Sequence, residues 1–335
     1  MTINAESLDG IVSAEWPQLR IIGQPEPLTG GFWAEMWRLR VSDQPNGMPP
    51  DLVLRHAPHR EMGAKETEVQ RAISEQGFRT PAVWLSRPDE GPMDGWWSVM
   101  DFCHGAPLLA GLDPAGVLRR APFLLRMLPR QLADAMAALH GLDPEPVTEA
   151  VRYRAPDVAW TVDEVVEQFR FGADMLERPD VAAALDRLTS RRPAPCEPVI
   201  CHGDLHPFNM LADAGGLTVL DWTGSVLADP RFDVAYTELL LANPPLALPA
   251  PLAVLARRAG RLFARRFVGR YAAANPTVTL DGLEWFRALH SARIVIELTL
   301  RRAEHGAGAG GHPFAHIARA AAKNLSTATG VEVGP

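Results

Sequence analysis

The chain has 335 residues, 47% of them hydrophobic and 22% charged, enough for two ordinary domains or one two-lobed unit with a sizeable core. A formal net charge of −7 argues against a broad nucleic-acid footprint, which is usually basic. Three cysteines (Cys103, Cys196, Cys201) without a CxxC pair argue against a disulfide framework or a four-thiolate zinc site, and no run of about 18 apolar residues offers a membrane span. The opening MTINAESLDG lacks the basic and apolar regions of a secretory signal, so a reducing, cytoplasmic setting is expected.

The first hundred residues read as strand-rich. A Gly30-Gly31 turn precedes the apolar and aromatic run FWAEMWRLRV, and DLVLRH and WWSVMDF are two more short strands. Between the last two, REMGAKETEVQRAISEQGF has helical spacing and a closing glycine, Gly77. Beyond about residue 105 the pattern turns helical. FLLRMLPRQLADAMAALHGL predicts a helix broken or bent near Pro129, followed by TVDEVVEQFRFGADML and DVAAALDRLTS. A proline-rich connector, RRPAPCEP, leads to the strand Val199 to Cys201, and residues 249–325 read as three helices with a glycine-rich break at 304–314. Arg257-Arg258 and Arg265-Arg266 recur at helical spacing and read as a solvated helix face.

The chemistry concentrates in VICHGDLHPFNML, residues 199–211. The strand runs into a turn carrying Asp204 and Asn209, and twelve residues after Asn209 the run LTVL ends in Asp221-Trp222. Two carboxylates and an amide are thus expected at the ends of two adjacent short strands. A carboxylate orients or deprotonates an attacking hydroxyl, while an amide oxygen and a second carboxylate suit Mg²⁺, which prefers hard oxygen ligands. A rival reading takes His202, Asp204 and His206 as the metal ligands of a hydrolase. Gly203 and Pro207 favour a turn over the extended strand that reading needs. Buried His202 is then expected to bond nearby backbone; for His206 two readings stay open, loop support, which is favoured, and substrate contact.

The succession H-G-D-L-H-P-F-N, then D-W, then ADPRFDVA resembles the aminoglycoside phosphotransferase-type family, whose relatives include antibiotic, choline, homoserine and fructosamine kinases. The resemblance is carried by residues 199–238 and extends over roughly 20–240. It implies an α+β, bilobal protein-kinase-like fold with a small β-rich N-lobe and a larger helical C-lobe. The lobes would run over 1–100 and 108–335, joined by a hinge at 101–107. It further implies an ATP- or GTP-dependent, Mg²⁺-requiring kinase of a small hydroxyl compound. Asp204 would be the base, Asn209 and Asp221 the metal ligands, and Asp233 a brace for the catalytic loop.

A kinase-like N-lobe also needs a phosphate-covering turn, a strand cation and a helix glutamate. Gly30 and Gly31 can supply the turn, and the cation position falls on Arg55, where lysine is the commoner residue. Glu66 shares the apolar stripe of Met62, Val69 and Ile73 and is therefore expected to pair with Arg55, whereas Glu68 reads as an exposed helix residue. On the family match, Asp101 would offer its carbonyl and Cys103 its N–H to adenine, with Met100 guarding the pocket. Trp96 and Trp97 read as core or interface packing, although one could line the nucleotide cleft, Asp143 as a helix-exit turn and Asp229 as a turn or N-cap residue. Arg293 and Glu297, four apart, can pair on a helix or face a polar substrate. The alternative within the same fold is a nucleotide-binding pseudokinase, whose mark would be a missing Asp204, Asn209 or Asp221; all three are present.

Overall fold

The computed structural model describes residues 5–28, 34–90, 95–108, 114–244, 250–305 and 315–335. The chain divides into two compact units, one made of residues 1–108, 145–158 and 210–223, the other of 109–144, 159–209 and 224–335. Gly30 and Gly31 lie outside the described residues.

In the first unit helix α1 (Ala5–Glu15) precedes two short strands, β1 (Arg20–Ile21) and β2 (Glu26–Pro27), and the longer β3 (Glu35–Ser42) and β4 (Asp51–Ala57). Helix α2 (Arg60–Glu75), β5 (Val83–Pro88) and β6 (Trp96–Asp101) follow. The antiparallel sheet runs β1-β3-β4-β6-β5, with β2 added on β3, and its register sets Arg55 opposite Met36 on one side and Ser98 on the other. Strand alternation sorts the two faces. Leu52 and Leu54 pack with Leu39, Val41, Val99, Trp97 and the α1 residues Leu8 and Val12 in one buried cluster. Ala57, two residues from Arg55, packs instead with Ala64 of α2 and Trp96. A Cβ on Gly63 would stand 2.6 Å from Trp96 Cβ and 2.8 Å from Ala57 Cβ, so only glycine lets α2 lie this close to the sheet. That approach carries Glu66, one turn on, to Arg55.

A three-stranded ladder completes this unit: β7 (Ala106–Pro107) pairs with β9 (Met210–Asp213), which pairs with β10 (Gly216–Val219). In the second unit helix α3 (Pro114–His140) runs unbroken through Pro129, contrary to the expected interruption. Helix α4 (Pro144–Arg154) leads back to the first unit, where Ala155 joins the Ala57–Trp96 cluster. Helices α5 (Val162–Met175) and α6 (Pro179–Thr189) return the chain to the second unit, α5 opening with a capping box between Thr161 and Glu164.

The two-stranded ladder of β8 (Val199–Cys201) and β11 (Val226–Ala228) also belongs to the second unit. Helices α7 (Arg231–Ala242), α8 (Ala250–Ala274), α9 (Leu283–His305) and α10 (Ala318–Thr329) complete the second unit, whose core includes Trp160, Tyr236, Phe267, Tyr271 and Phe286. The stretch 306–314 of the expected glycine-rich break lies outside the described residues. The strands preceding Asp204 and Asp221 do not pair with each other. β8 pairs with β11 and β10 with β9, which corrects the expectation of two adjacent strands.

Candidate active site

Each unit carries its own set of the residues singled out in the sequence. In the first, Arg55 Nη2 donates to Glu66 Oε2 at 2.7 Å, the pair selected by helical spacing. The side chains are only 11% and 8% exposed, so each charge depends on the other. Burial raises the Glu66 pKa, Arg55 opposes that shift, and the nearby Asp221 charge reinforces it. Glu68 is not the exposed residue expected. It is buried, accepts from Ser86 Oγ at 2.8 Å and stands 3.6 Å from Arg71.

Asp221 follows β10 with its side chain exposed and its backbone left-handed, φ +64°. Trp222 beside it is fully buried, its indole N–H donating to Thr80 Oγ1 at 2.9 Å. At the end of β6, Met100 Sδ accepts from Gln70 Nε2 at 3.5 Å, and the Asp101 carboxylate accepts from Trp84 Nε1 at 2.7 Å. Cys103 is half-buried, and burial together with Asp101 pushes its thiol up to about 11, so it is no thiolate nucleophile. Trp96 and Trp97 are buried in the two clusters of the sheet.

In the second unit the strand β8 delivers the loop 202–209. Its shape is set by one carboxylate: Asp233, from the first turn of α7, accepts the backbone N–H of His202 and of Gly203, each at 2.7 Å. His140, the last residue of α3, reaches the same carboxylate through Nε2 at 3.2 Å, leaving Nδ1 to accept the Tyr271 hydroxyl at 2.7 Å. Burial pushes the Asp233 carboxyl up, but His140, His202 and the Gly203 N–H outweigh it and hold the group below the usual carboxylate range. His202 is fully buried and its Nδ1 accepts the N–H of Asp204 at 3.2 Å. Gly203 is left-handed, φ +74°, and a Cβ there would lie 1.9 Å from the Gly224 carbonyl oxygen, so no other residue fits.

Asp204 is ringed by hydrogen-bond donors and by Arg293. Asn209 Nδ2 donates to its carbonyl at 3.0 Å and to its Oδ2 at 3.3 Å, and His206 Nε2 stands 3.4 Å from Oδ1. Burial raises its pKa, yet His206, Arg293 and His202 together bring the net shift down, so Asp204 is ionised at neutral pH. Arg293 pairs with Glu297 at 2.8 Å and also donates to the Gly203 carbonyl at 2.7 Å, so the i,i+4 pair doubles as a loop anchor. Asp229 accepts the Arg231 N–H at 3.0 Å and binds its guanidinium through both oxygens, a buried ion pair rather than a simple cap.

The hydrolase reading fails on geometry. Among the described residues, the three potential ligands that gather within 4.8 Å are His140, Cys201 and Asp233, not His202, Asp204 and His206. Those three already form a hydrogen-bonded brace, with Cys201 Sγ 3.9 Å from His140 Nε2. His140, Tyr271 and Arg293's link to Gly203 carried no motif in the sequence. The available signal was a polar side chain closing the apolar run AMAALH, which requires a buried partner.

The description "phosphotransferase enzyme family" (APH) fits a family model matching residues 25–276, three quarters of the chain, including Arg55, Glu66, Asp204, Asn209, Asp221 and Asp233 but not Arg293 or Glu297. The chain belongs to the phosphotransferase enzyme family. Solved relatives share the fold at low identity. A candidate aminoglycoside phosphotransferase from Ralstonia eutropha superimposes with a TM-score of 0.66 at 17% identity, covering 96% of this chain and 98% of its own. The aminoglycoside phosphotransferase APH(4)-Ia superimposes at 0.60 and 15% identity, over 99% and 100% of the two chains. The F108L mutant of the 2'-phosphotransferase-IIIa, solved with GDP, gives 0.59 and 17% over 98% of each. A curated mouse protein, acyl-CoA dehydrogenase family member 10, is 25% identical over 183 residues, 52% of this chain. The phosphotransferase chain spans only 16% of that relative's length. The fold is therefore protein-kinase-like, a β-sheet N-terminal region followed by a mostly helical C-terminal one. Among the described residues no helix of this phosphotransferase is long and apolar enough to cross a membrane.

Proposed function

We propose that this phosphotransferase moves the γ-phosphate of ATP or GTP to a hydroxyl of a small molecule, such as an antibiotic, an amino alcohol or a sugar-like compound. The observation that carries the reading is Asp204: a half-buried carboxylate, kept ionised by His206, Arg293 and His202 and bonded by the amide of Asn209. An ionised carboxylate in such a loop accepts the proton of an incoming hydroxyl and aims its oxygen lone pair at phosphorus. The backbone bonds from Asp233 and Arg293 hold that carboxylate in place before substrate arrives.

Because Asn209 spends its NH₂ on Asp204, its amide oxygen is left to accept, and Asp221 presents an exposed carboxylate. These are hard oxygen donors and fit Mg²⁺. Asn209 and Asp221 are assigned as its ligands; when bound, the ion neutralises charge on the phosphate oxygens. Arg55, braced by Glu66, supplies a fixed cation for nucleotide phosphate, and the segment Met100, Asp101 and Cys103 the contacts to the base. Solved relatives include complexes with ADP and hygromycin B and with GDP and kanamycin, which supports a nucleotide donor and a small hydroxylated acceptor.

The test is nucleoside diphosphate release across a panel of aminoglycosides, macrolides, amino alcohols and sugars, with and without Mg²⁺. Asp204→Ala is expected to lower turnover with the responsive acceptor by a factor on the order of 10²–10⁴ and to leave nucleotide affinity within a few-fold. Wild-type turnover in that variant would remove Asp204 from the chemistry.

A further inference from the structure

We propose that Thr223 is a positioning residue for Asp221, its hydroxyl tying the segment Asp221-Trp222-Thr223 to the Arg55–Glu66 ion pair. The inference rests on the assignment of Asp221 as a metal ligand, and goes beyond it by naming what holds that carboxylate in its conformation.

Three observations within the first unit lead to it. The first is strain. Asp221 has φ +64°, one of three non-glycine residues with positive φ in the described chain, and such a backbone persists only where its surroundings over-determine it. The second is how the neighbours clamp it. Trp222 is fully buried, bonded to Thr80 Oγ1 at 2.9 Å and packed edge-on to Phe78 with ring centroids 5.8 Å apart. Thr80 in turn donates to the Val219 carbonyl at 2.9 Å. That clip fixes the segment before and at Trp222.

The third observation supplies the other clip. Thr223 Oγ1 donates to Glu66 Oε2 at 2.9 Å, on the same oxygen that takes Arg55 Nη2 at 2.7 Å, while the Thr223 N–H faces Asp221 Oδ1 at 3.4 Å. One carboxylate oxygen of α2 therefore organises both the phosphate-side cation and the backbone of the acidic residue. Glu66 needs the second donor for its own reasons. It is buried and lies near the Asp221 charge, both of which disfavour its ionised form. The hydroxyl offsets that cost and makes the geometry of Asp221 depend on an intact Arg55–Glu66 pair. A hydroxyl is required because the neighbouring atom is an acceptor; valine has the same shape and no donor.

The experiment compares wild type, Thr223→Ser and Thr223→Val. Nucleotide Kd is measured by calorimetry in Mg²⁺ and in EDTA, and hydrogen exchange is followed over the peptide containing 219–226. Loss of a hydrogen bond to a charged acceptor predicts that Thr223→Val weakens the Mg²⁺-dependent affinity about tenfold or more. Its affinity in EDTA stays within about threefold, its 221–223 amides exchange faster, and Thr223→Ser restores all three readings. Unchanged Mg²⁺ dependence and exchange in Thr223→Val, or failure of Thr223→Ser to rescue, would overturn the proposal. If the wild type shows no Mg²⁺-dependent nucleotide binding, the ligand assignment of Asp221 falls instead. The exchange data then decide by themselves whether Thr223 holds the segment.

Discussion

Replacing Asp233 by asparagine tests whether one buried carboxylate shapes the loop 202–209. The side chain accepts two backbone N–H groups at 2.7 Å and lies 3.2 Å from His140 Nε2. A carboxamide of the same shape has one acceptor oxygen, so it satisfies one of the two amides and turns its own NH₂ toward the other. Hydrogen bonds to a charged group contribute roughly 1.5–3 kcal/mol each, and a buried donor left unpaired costs about 1–3 kcal/mol. The expected loss is about 3–5 kcal/mol, the range typical of breaking a buried charged network, set against a total stability of about 5–15 kcal/mol. Urea unfolding measures the stability term, and diphosphate release at a temperature where the variant remains folded measures the loop. The pH dependence gives a second reading. The folded-state pKa of Asp233 is lowered, since His140, His202 and the Gly203 N–H outweigh the upward push of burial. Its stabilisation is therefore complete above the unfolded carboxylate value, near pH 4, and disappears as pH falls through the folded value. Asp233→Asn should show a flatter acid limb of stability than wild type. A loss under about 1 kcal/mol with activity retained would refute the idea that this carboxylate organises the loop.

Two further outcomes follow from the same loop. Gly203→Ala places a Cβ against the Gly224 carbonyl oxygen at 1.9 Å, and that neighbour is backbone, so the loop must move. Near-complete loss of turnover is expected, with a lowered melting temperature by circular dichroism; a variant as active as wild type would contradict the close approach. Arg293→Met removes the donor to the Gly203 carbonyl and one of the cations that keep Asp204 ionised. The Asp204 pKa then rises, and the acid limb of the kcat/KM profile moves to higher pH; an unmoved limb argues that Arg293 acts through the loop backbone alone.

Much of the first unit's ion pair was legible beforehand because it rests on period. Glu66 falls in the stripe of Val69 and Ile73, and a charge there must find a partner, which the structure supplies as Arg55. The same reasoning failed for Glu68. Helical angle places it away from that stripe, but the strand partner Ser86 covers it, and a sheet edge is invisible to a single-helix analysis. Pro129 misled for a related reason. Proline disfavours a helix interior, yet the flanking Leu128, Leu132 and Ala133 are buried, and tertiary packing outweighs the local cost.

By itself the sequence determined the chemistry available: a carboxylate and an amide five residues apart on one loop, a second carboxylate beyond the next strands, and a glycine that favours a turn. Those follow from residue identity and short-range geometry, which survive in a linear reading. Only the tertiary structure decided what holds them. His140, Tyr271, Arg293 and Thr223 act on 202–204 or 221 from positions far away in sequence or through partners that are. A hydrogen bond between distant segments leaves no spacing to read. It exists because the folded core brings each polar group to a place where burial without a partner costs more than the bond.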